Sequence, residues 1–468
     1  MRARITVFIW LVTALPSVDA FQTDVFSTEE QLLSSANYPS NVSCGVAFVD
    51  HALTLEIAVE HVLCNDPQTH FTWANAKAQA AQIGIARSAW LPRLDGALTN
   101  RKGHQAVDYD NEPRLSDSGR QKSSSQGLTF SWLLFDFGQR SAILERTQQL
   151  LNAATASHDA ALQNTLLTTS QLYYSALAAQ RILVAARQVE NLAAQNFEAA
   201  DAKFKAGAAA LSDKLQAQTA LSQARLQVTR DEGDSAYKVG LLALRMGLPP
   251  QARLTLVDNL ETLIDTSFAD SIDELLTRAH RNNPDLLAAA AQMEASKASI
   301  DEVRAAGYPS LSLVGNVTRN HNTGIGSDYG DVRQSDRSIG IQLIIPLFEG
   351  FGRSDRIRDA EARYDASKAQ MDDVKLRVAI DTWEYYQALS TETRSLLRTR
   401  ELVEQARKSF EVVQGRYQSG IGNMLEPLNA LTAYANAEIA HIQALLNWQT
   451  ARLNLTARIG QLRLSMSP

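Results

Sequence analysis

Apolar residues along this chain follow two periods, and each pattern occurs twice. Leu311, Leu313, Gly315 and Val317 alternate with Ser310, Ser312, Val314 and Asn316, and Ile339, Ile341, Leu343 and Ile345 alternate across a second run. A period of two predicts strands with one apolar face. Leu94 to Leu98, and then Leu128, Phe130, Trp132 and Leu134, predict an earlier pair. Proline-free segments follow each pair, from Gly138 to Ala206 and from Arg353 to Ser419. As helices rising 1.5 Å per residue they would each be roughly 100 Å long. Leu396, Val403, Phe410 and Tyr417 recur at heptad spacing, with Ala406, Val413 and Gly420 at the complementary positions. Leu183, Glu190, Phe197 and Phe204, accompanied by Ala193, Ala200 and Gly207, hold the same phase. Heptads predict helices wound around partners.

The whole chain is written twice. Asn65-Asp66-Pro67 and Ala89-Trp90-Leu91-Pro92 recur as Asn282-Asn283-Pro284 and Ala306-Gly307-Tyr308-Pro309, with the proline pairs offset by 217. Phe137-Gly138-Gln139-Arg140 answers Phe351-Gly352-Arg353, Tyr173-Tyr174 answers Tyr385-Tyr386, and Met246-Gly247 answers Ile459-Gly460. The predicted division is a first repeat at 53–250, a linker at 251–269, a second repeat at 270–460 and a tail at 461–468. In each repeat a short helix (55–64; 272–281) precedes one that starts on a proline (67–89; 284–306), a favoured first helical position. Pro92 and Pro309 then end helix and begin strand, as helix–strand transitions. Strands are expected at about 92–102, 125–136, 309–319 and 336–347. The polar stretches 103–124 and 320–335 between them read as surface loops. Long helical hairpins follow at 138–247 and 351–459, turning at the hinges Gly207 and Gly420.

Residues 1–20 read as a secretory signal: Arg2 and Arg4, an apolar run from Ile5 to Leu15, then Val18-Asp19-Ala20. An N-terminal extension, 21–52, follows. The mature chain would begin at Phe21, with no thiol for a lipid anchor. Two cysteines, Cys44 and Cys64, in an exported chain are expected to form a disulfide worth roughly 3 kcal/mol, with two buried free thiols as the alternative. No run of eighteen apolar residues occurs, and the mean hydropathy is -0.20. That excludes a helical membrane protein but not a β-barrel, whose strands alternate. A net charge of -6 gives no footprint for nucleic acid. The eight histidines show no metal-binding spacing, Gly324-Ile325-Gly326-Ser327 opens no dinucleotide-type helix, and no nucleophile has a nearby base. No enzyme, cofactor or metal is expected.

Two strands and a long-helix hairpin in each of two repeats resemble the TolC family of outer-membrane channel-tunnels, from about Leu53 to Gly460. The resemblance implies a mainly α chain with a small β-barrel part. Four strands per subunit would complete a 12-stranded barrel in a homotrimer, which physics favours because four strands alone leave open edges that lipid cannot satisfy. It also implies an exit duct in the outer membrane of a Gram-negative bacterium, with a long periplasmic portion. Its partners would be outer-membrane lipid, a periplasmic adaptor, and an inner-membrane ABC transporter or proton-driven pump. Cys64-Asn65-Asp66-Pro67-Gln68-Thr69 is similar to the type I secretion channels of cyclolysin-like toxins; multidrug efflux is the other reading. A periplasmic coiled-coil scaffold or adaptor without a pore would explain the helices and leave the strand pairs unexplained.

The resemblance places a periplasmic gate at the hairpin turns. It pairs Tyr417 with Asp213, beside Ser212, in a hydrogen bond that holds the entrance shut. An arginine that adds links in the family falls on Gly422, and of two acidic ring positions one is Glu426 and the other Asn429. The same residues also read as helix-start chemistry: Ser212 and Asp213 as capping residues, Glu426 before Pro427 as a charge favoured by the helix dipole. Trp90, Phe135, Phe137, Tyr308, Phe348 and Phe351 are expected as an interfacial belt or as packing where strands meet helices.

Overall fold

The computed structural model describes residues 24–28, 52–108, 110–111, 114, 116–258, 271–323 and 331–462. The first repeat contributes α1 (Leu55–Asn65), α2 (Pro67–Ser88), β1 (Arg93–Val107), β2 (Asp117–Phe135), α3 (Gln139–Lys205) and α4 (Leu211–Arg245). The second contributes α5 (Ile272–Asn282), α6 (Pro284–Ala305), β3 (Ser310–Thr323), β4 (Val332–Ile344), α7 (Gly352–Gln418) and α8 (Leu425–Arg458). Both α3 and α7 have 67 residues. Pro67 and Pro284 open α2 and α6 as first helical residues, where a missing N–H costs nothing. Pro92 and Pro309 sit one residue ahead of β1 and β3. Among the described residues no helix is long and apolar enough to cross a membrane.

The chain divides into two compact units. One draws on Asn75–Ala154 and Ala289–Gln370 and holds the sheet. Its four strands are antiparallel in the order β1-β2-β3-β4, so the repeats join through β2 and β3. The strands run further than hydropathy indicated. Lys102 pairs with Lys122, Val107 with Asp117, and Asn322 with Val332, so strand takes in both ends of the stretches expected as loops at 103–124 and 320–335. Backbone pairing continues where the apolar alternation stops, because ladder hydrogen bonds do not depend on side-chain polarity. Residues 324–330, including the Gly324-Ile325-Gly326-Ser327 stretch, lie outside the described residues.

At both strand-to-helix junctions two successive residues have positive φ, one glycine and one phenylalanine: Phe137 (51°) with Gly138 (96°), and Gly350 (60°) with Phe351 (64°). A bulky residue there is strained and is held by its surroundings. Phe137 packs between Phe135 and Tyr308, at ring distances of 4.7 and 5.8 Å, and Phe351 packs edge-on to Phe348 at 5.5 Å. The junction of the first repeat is further secured by Arg140. It pairs with Asp136 (3.0 Å), donates to the carbonyls of Ala89, Leu133 and Leu134, and lies over the Trp90 ring. In the second repeat Arg353 occupies the space beside Gly307 and packs on Tyr308.

The other unit draws on Asn37–Ala74, Thr155–Ala288 and Met371–Pro468. Its core joins Tyr173, Leu242, Met246, Leu275, Leu445, Trp448 and Leu455. Tyr173 donates its hydroxyl between the carbonyls of Leu53 (3.0 Å) and Val257 (2.9 Å), tying down the two segments that meet at the Leu53–Leu256 bridge. At the α1–α2 corner the buried Asp66 accepts from Thr69 and Thr165 and pairs with Arg245 at 3.1 Å. The equivalent Asn283 caps Leu286 N–H and donates to the Arg458 carbonyl. Cys64, in α1, is disulfide-bonded, and Cys44 lies outside the described residues. Along α7 the heptad residues Leu396, Phe410 and Tyr417 are buried, as are Ala193 and Ala200 on α3.

Candidate functional site

The register of the sheet separates its faces. Leu94, Phe130, Gly315 and Ile339 form one cross-strand row. Trp132, Leu313 and Ile341 form a second, and Phe135, Leu311 and Leu343 a third, all on the same face. The opposite face carries Thr129, Ser131, Ser312, Gln342, Asn316 and Ser338. Both faces are open to solvent in the single chain, and Ile339 and Ile341 are 78% and 70% exposed. An apolar face from Leu311 to Val317 covers about 20 Å of strand, comparable with the outward band of a membrane barrel. Among the described residues β1 and β4 each pair on one side only, so the sheet has two open edges.

The helical turns form the second region. α3 ends through Gly207 (φ 72°), and α4 begins at Leu211 with Ala210 as N-cap. Ser212 and Asp213 therefore stand within the first turn of α4 and are not its cap. α7 ends through Gly420 (φ 84°) and Gly422 (φ 103°). Asn423 Oδ1 accepts from Glu426 N–H at the start of α8, and Pro427, also in that first turn, needs no acceptor for a missing N–H. An arginine at Gly422 would meet both a left-handed backbone and the Glu426 carboxylate, 3.4 Å from an added Cβ.

Tyr417 is buried with Ala200, Ala217 and Met424. Burial, and then the nearby Asp213 carboxylate, raise its phenol pKa. The expected hydrogen bond to Asp213 is not made: the buried Tyr417 hydroxyl has no hydrogen-bond partner among the described residues. The tie comes from Lys203 on α3, which the sequence reading missed. Its ammonium lies 4.0 Å from the Tyr417 ring centroid and donates to the Tyr417 carbonyl. Lys203 thereby places a cation at the C-terminal end of α7, where the helix dipole favours it. One turn back, Gln414 of α7 donates to Asn196 of α3.

Glu426 is 3.8 Å from Arg416, so its charge is partly compensated within the subunit. Asp201 bonds Lys205 and Lys214, which hold its carboxyl below the usual range. Asn429 is exposed on α8. Lys203 and Arg416 are repeat equivalents, offset by 213, and that spacing was the signal in the sequence that could have singled them out. Among the described residues no group of His, Cys, Asp and Glu side chains forms a metal site.

A family model described as outer membrane efflux protein matches residues 58–244 and 275–461, one segment in each repeat. Protein CyaE of Bordetella pertussis is 29% identical over 411 residues, covering 88% of this chain and 84% of CyaE. Outer membrane protein OprJ of Pseudomonas aeruginosa is 26% identical over 408 residues, covering 86% and 83%. Outer membrane protein TolC of Vibrio cholerae is 24% identical over 404 residues, covering 85% and 88%. A solved membrane protein from Pseudomonas aeruginosa superposes with a TM-score of 0.72 at 25% identity, over 87% of this chain and 93% of its own. The outer membrane protein VceC of Vibrio cholerae, at 17% identity, shares the fold with a TM-score of 0.71 over 87% and 96%.

Proposed function

Because the chain belongs to the outer membrane efflux protein family and is an outer-membrane exit channel with a TolC-like channel-tunnel fold, we propose that three copies form one duct. In this reading the duct receives cargo through an adaptor from an inner-membrane pump. The observation that carries it is the two-faced sheet with open edges at β1 and β4. Unpaired edge groups cost several kcal/mol each in hydrocarbon, so the sheet has to close, with its apolar face to lipid and its polar face to the lumen. A pore-less periplasmic scaffold has no use for such a sheet, and the channel homologues rule it out.

Type I secretion is the cargo route we favour, from the Cys64 to Thr69 segment and the likeness to Protein CyaE; small-molecule efflux is the second reading, from the likeness to OprJ. The entrance is held by the hairpin turns. Lys203 ties the α7 end to α3, Asp213 faces the same phenol, and Glu426 with Arg416 sets the charge there. Outer-membrane fractions run unheated on SDS gels should give a trimer band that collapses to monomer on boiling. A soluble periplasmic monomer would overturn the duct. For the route, loss of an exported protein from the medium in a deletion strain supports secretion, and drug sensitivity without that loss supports efflux.

A further inference from the structure

The apolar face of the sheet continues into a basic one. Side chains alternate between faces, so the residues sharing a face with Leu98, Leu128, Val317 and Ile339 can be read along each ladder. They are Arg337 on β4, in the row of Val317 and Leu128, and Arg319 on β3, in the row of Leu98; past these rows come Arg333 on β4, Lys102 on β1, and Lys122 and Arg120 on β2. All six are exposed. None of them has an ion-pair partner among the described residues; on that face His321 has one, Asp331 at 3.4 Å. The opposite face of the same rows carries Thr99, Arg101, Ser123, Asn320, Gln334 and Asp336, where the two charges offset each other. Cations are therefore segregated onto the lipid-facing side.

The register adds a second observation. Lys102 lies directly opposite Lys122, and His104 directly opposite Arg120. The two lysine ammonium groups are like charges facing each other across a ladder, which destabilises it unless an anion lies between them. The collar starts in the last apolar rows, at Arg337 and Arg319, and continues to the strand ends at Val107, Asp117, Thr323 and Val332. The other strand ends continue into the helices of the periplasmic portion, so the collar lies at the outer surface of the membrane.

We propose that this collar binds the phosphate groups of the phosphorylated glycolipid in the outer leaflet. Arginine forks and lysine ammonium groups suit phosphate oxygens, and the apolar rows beneath suit its acyl chains. In a closed trimer the collar would run around the whole barrel and fix its depth in the membrane. This rests on the reading that the apolar face meets lipid.

The test uses the purified full-length trimer in neutral detergent, titrated with bisphosphorylated lipid A. Bound lipid is measured by co-purification, and stability by the temperature at which the unheated-gel trimer is lost. Lipid A should bind, raise that temperature, and lose its effect at high salt. Dephosphorylated lipid A should do neither, and inorganic phosphate at equal phosphate concentration should not compete. A variant with Lys102→Gln, Lys122→Gln, Arg319→Gln and Arg337→Gln should assemble and bind lipid A about tenfold or more weakly, since each basic residue contributes attraction to an anionic surface. Lys102→Arg with Lys122→Arg should bind as wild type, and this pair carries the comparison should the fourfold variant fail to assemble. Equal binding of dephosphorylated lipid A, equal binding to phosphatidylglycerol vesicles, or wild-type binding by an assembled fourfold variant would overturn the proposal. Absence of any heat-sensitive trimer in wild-type membranes would instead overturn the duct itself.

Discussion

Replacing Arg140 by methionine keeps most of the side-chain volume and removes every polar contact that the guanidinium makes at the first strand-to-helix junction. The guanidinium is 10% exposed and the Asp136 carboxylate 8%. Without it the carboxylate loses its Nε partner, and the carbonyls of Ala89, Leu133 and Leu134 lose their donors. Breaking a buried ion pair from one side costs about 3–5 kcal/mol. Asp136 keeps the backbone N–H groups of Gly138 and Arg140, at 3.4 and 2.9 Å, which places the expected loss near the low end, about 3 kcal/mol per subunit. The repeat supplies its own control. Arg353, the equivalent residue, packs over Tyr308 at 5.3 Å and has no ion pair among the described residues. Arg353→Met should therefore cost about 1 kcal/mol, the size of a cation–π contact. Both variants are read as the temperature at which the unheated trimer band disappears, with outer-membrane yield alongside. Equal losses from the two substitutions, or an Arg140→Met trimer as heat-resistant as wild type, would refute the junction account.

Tyr417→Phe should leave bilayer conductance unchanged and raise trimer stability by up to about 1 kcal/mol, since it removes a buried unbonded hydroxyl; Tyr417→Leu, which removes the ring contact, and Lys203→Met, which removes both the ring and the carbonyl ties, should raise conductance, the second more than the first, and a rise with Phe would restore the hydroxyl as the latch. Glu426→Gln should lower cation preference in reversal-potential measurements and Arg416→Gln should raise it, whereas no change in either would leave this pair without a role in the pore. Tyr173→Phe should cost about 1 kcal/mol by thermal melting, since the Val257 carbonyl loses this donor while the Leu53 carbonyl keeps the Val257 N–H. Burial pushes the Tyr173 phenol up to about 12, so the stability held by its neutral form is complete below pH 10 and fades as pH rises toward 12; an alkaline melting curve shared by wild type and Tyr173→Phe would contradict this. Asp108→Cys should react with an impermeant maleimide on intact cells, and a correctly assembled protein that stays unlabelled would invert the strand topology.

Much of the architecture was legible because backbone constraints leave marks in sequence. Pro67, Pro92, Pro284 and Pro309 fall at element boundaries, and Gly207 and Gly420 adopt the positive φ that a helix-ending turn requires. Strand length was not legible. Beyond Leu98 and Val317 the ladder continues through residues polar on both faces, and hydropathy cannot distinguish these from loop. The candidate site at the hairpin turns was partly legible: Tyr417, Asp213 and Glu426 were placed at the turns, but the partner of Tyr417 was not. A lysine capping another helix by its ammonium leaves no local pattern, because its acceptor is a backbone carbonyl 214 residues away.

The two repeats share elements and divide labour through the residues that differ between them. Asp66 and Asn283 occupy the same corner, yet only the carboxylate recruits an arginine, Arg245; its equivalent Arg458 turns instead to Asp285 and Asp381. Trp90 and Gly307 stand at the same turn, and the indole of one carries a guanidinium above it while the other leaves room for one. At the hairpin tips Lys203 reaches across to the second repeat while Arg416 stays with Glu426 in its own hairpin. Identical use of both repeats would give each hairpin the same ties. With Lys203 crossing over, the end of α7 depends on α3, whereas the end of α3 is held by Lys205, Lys214 and Asp201 of its own hairpin. Loss of Lys203 would then loosen the second-repeat turn alone, while Lys205 and Lys214 continue to hold the first.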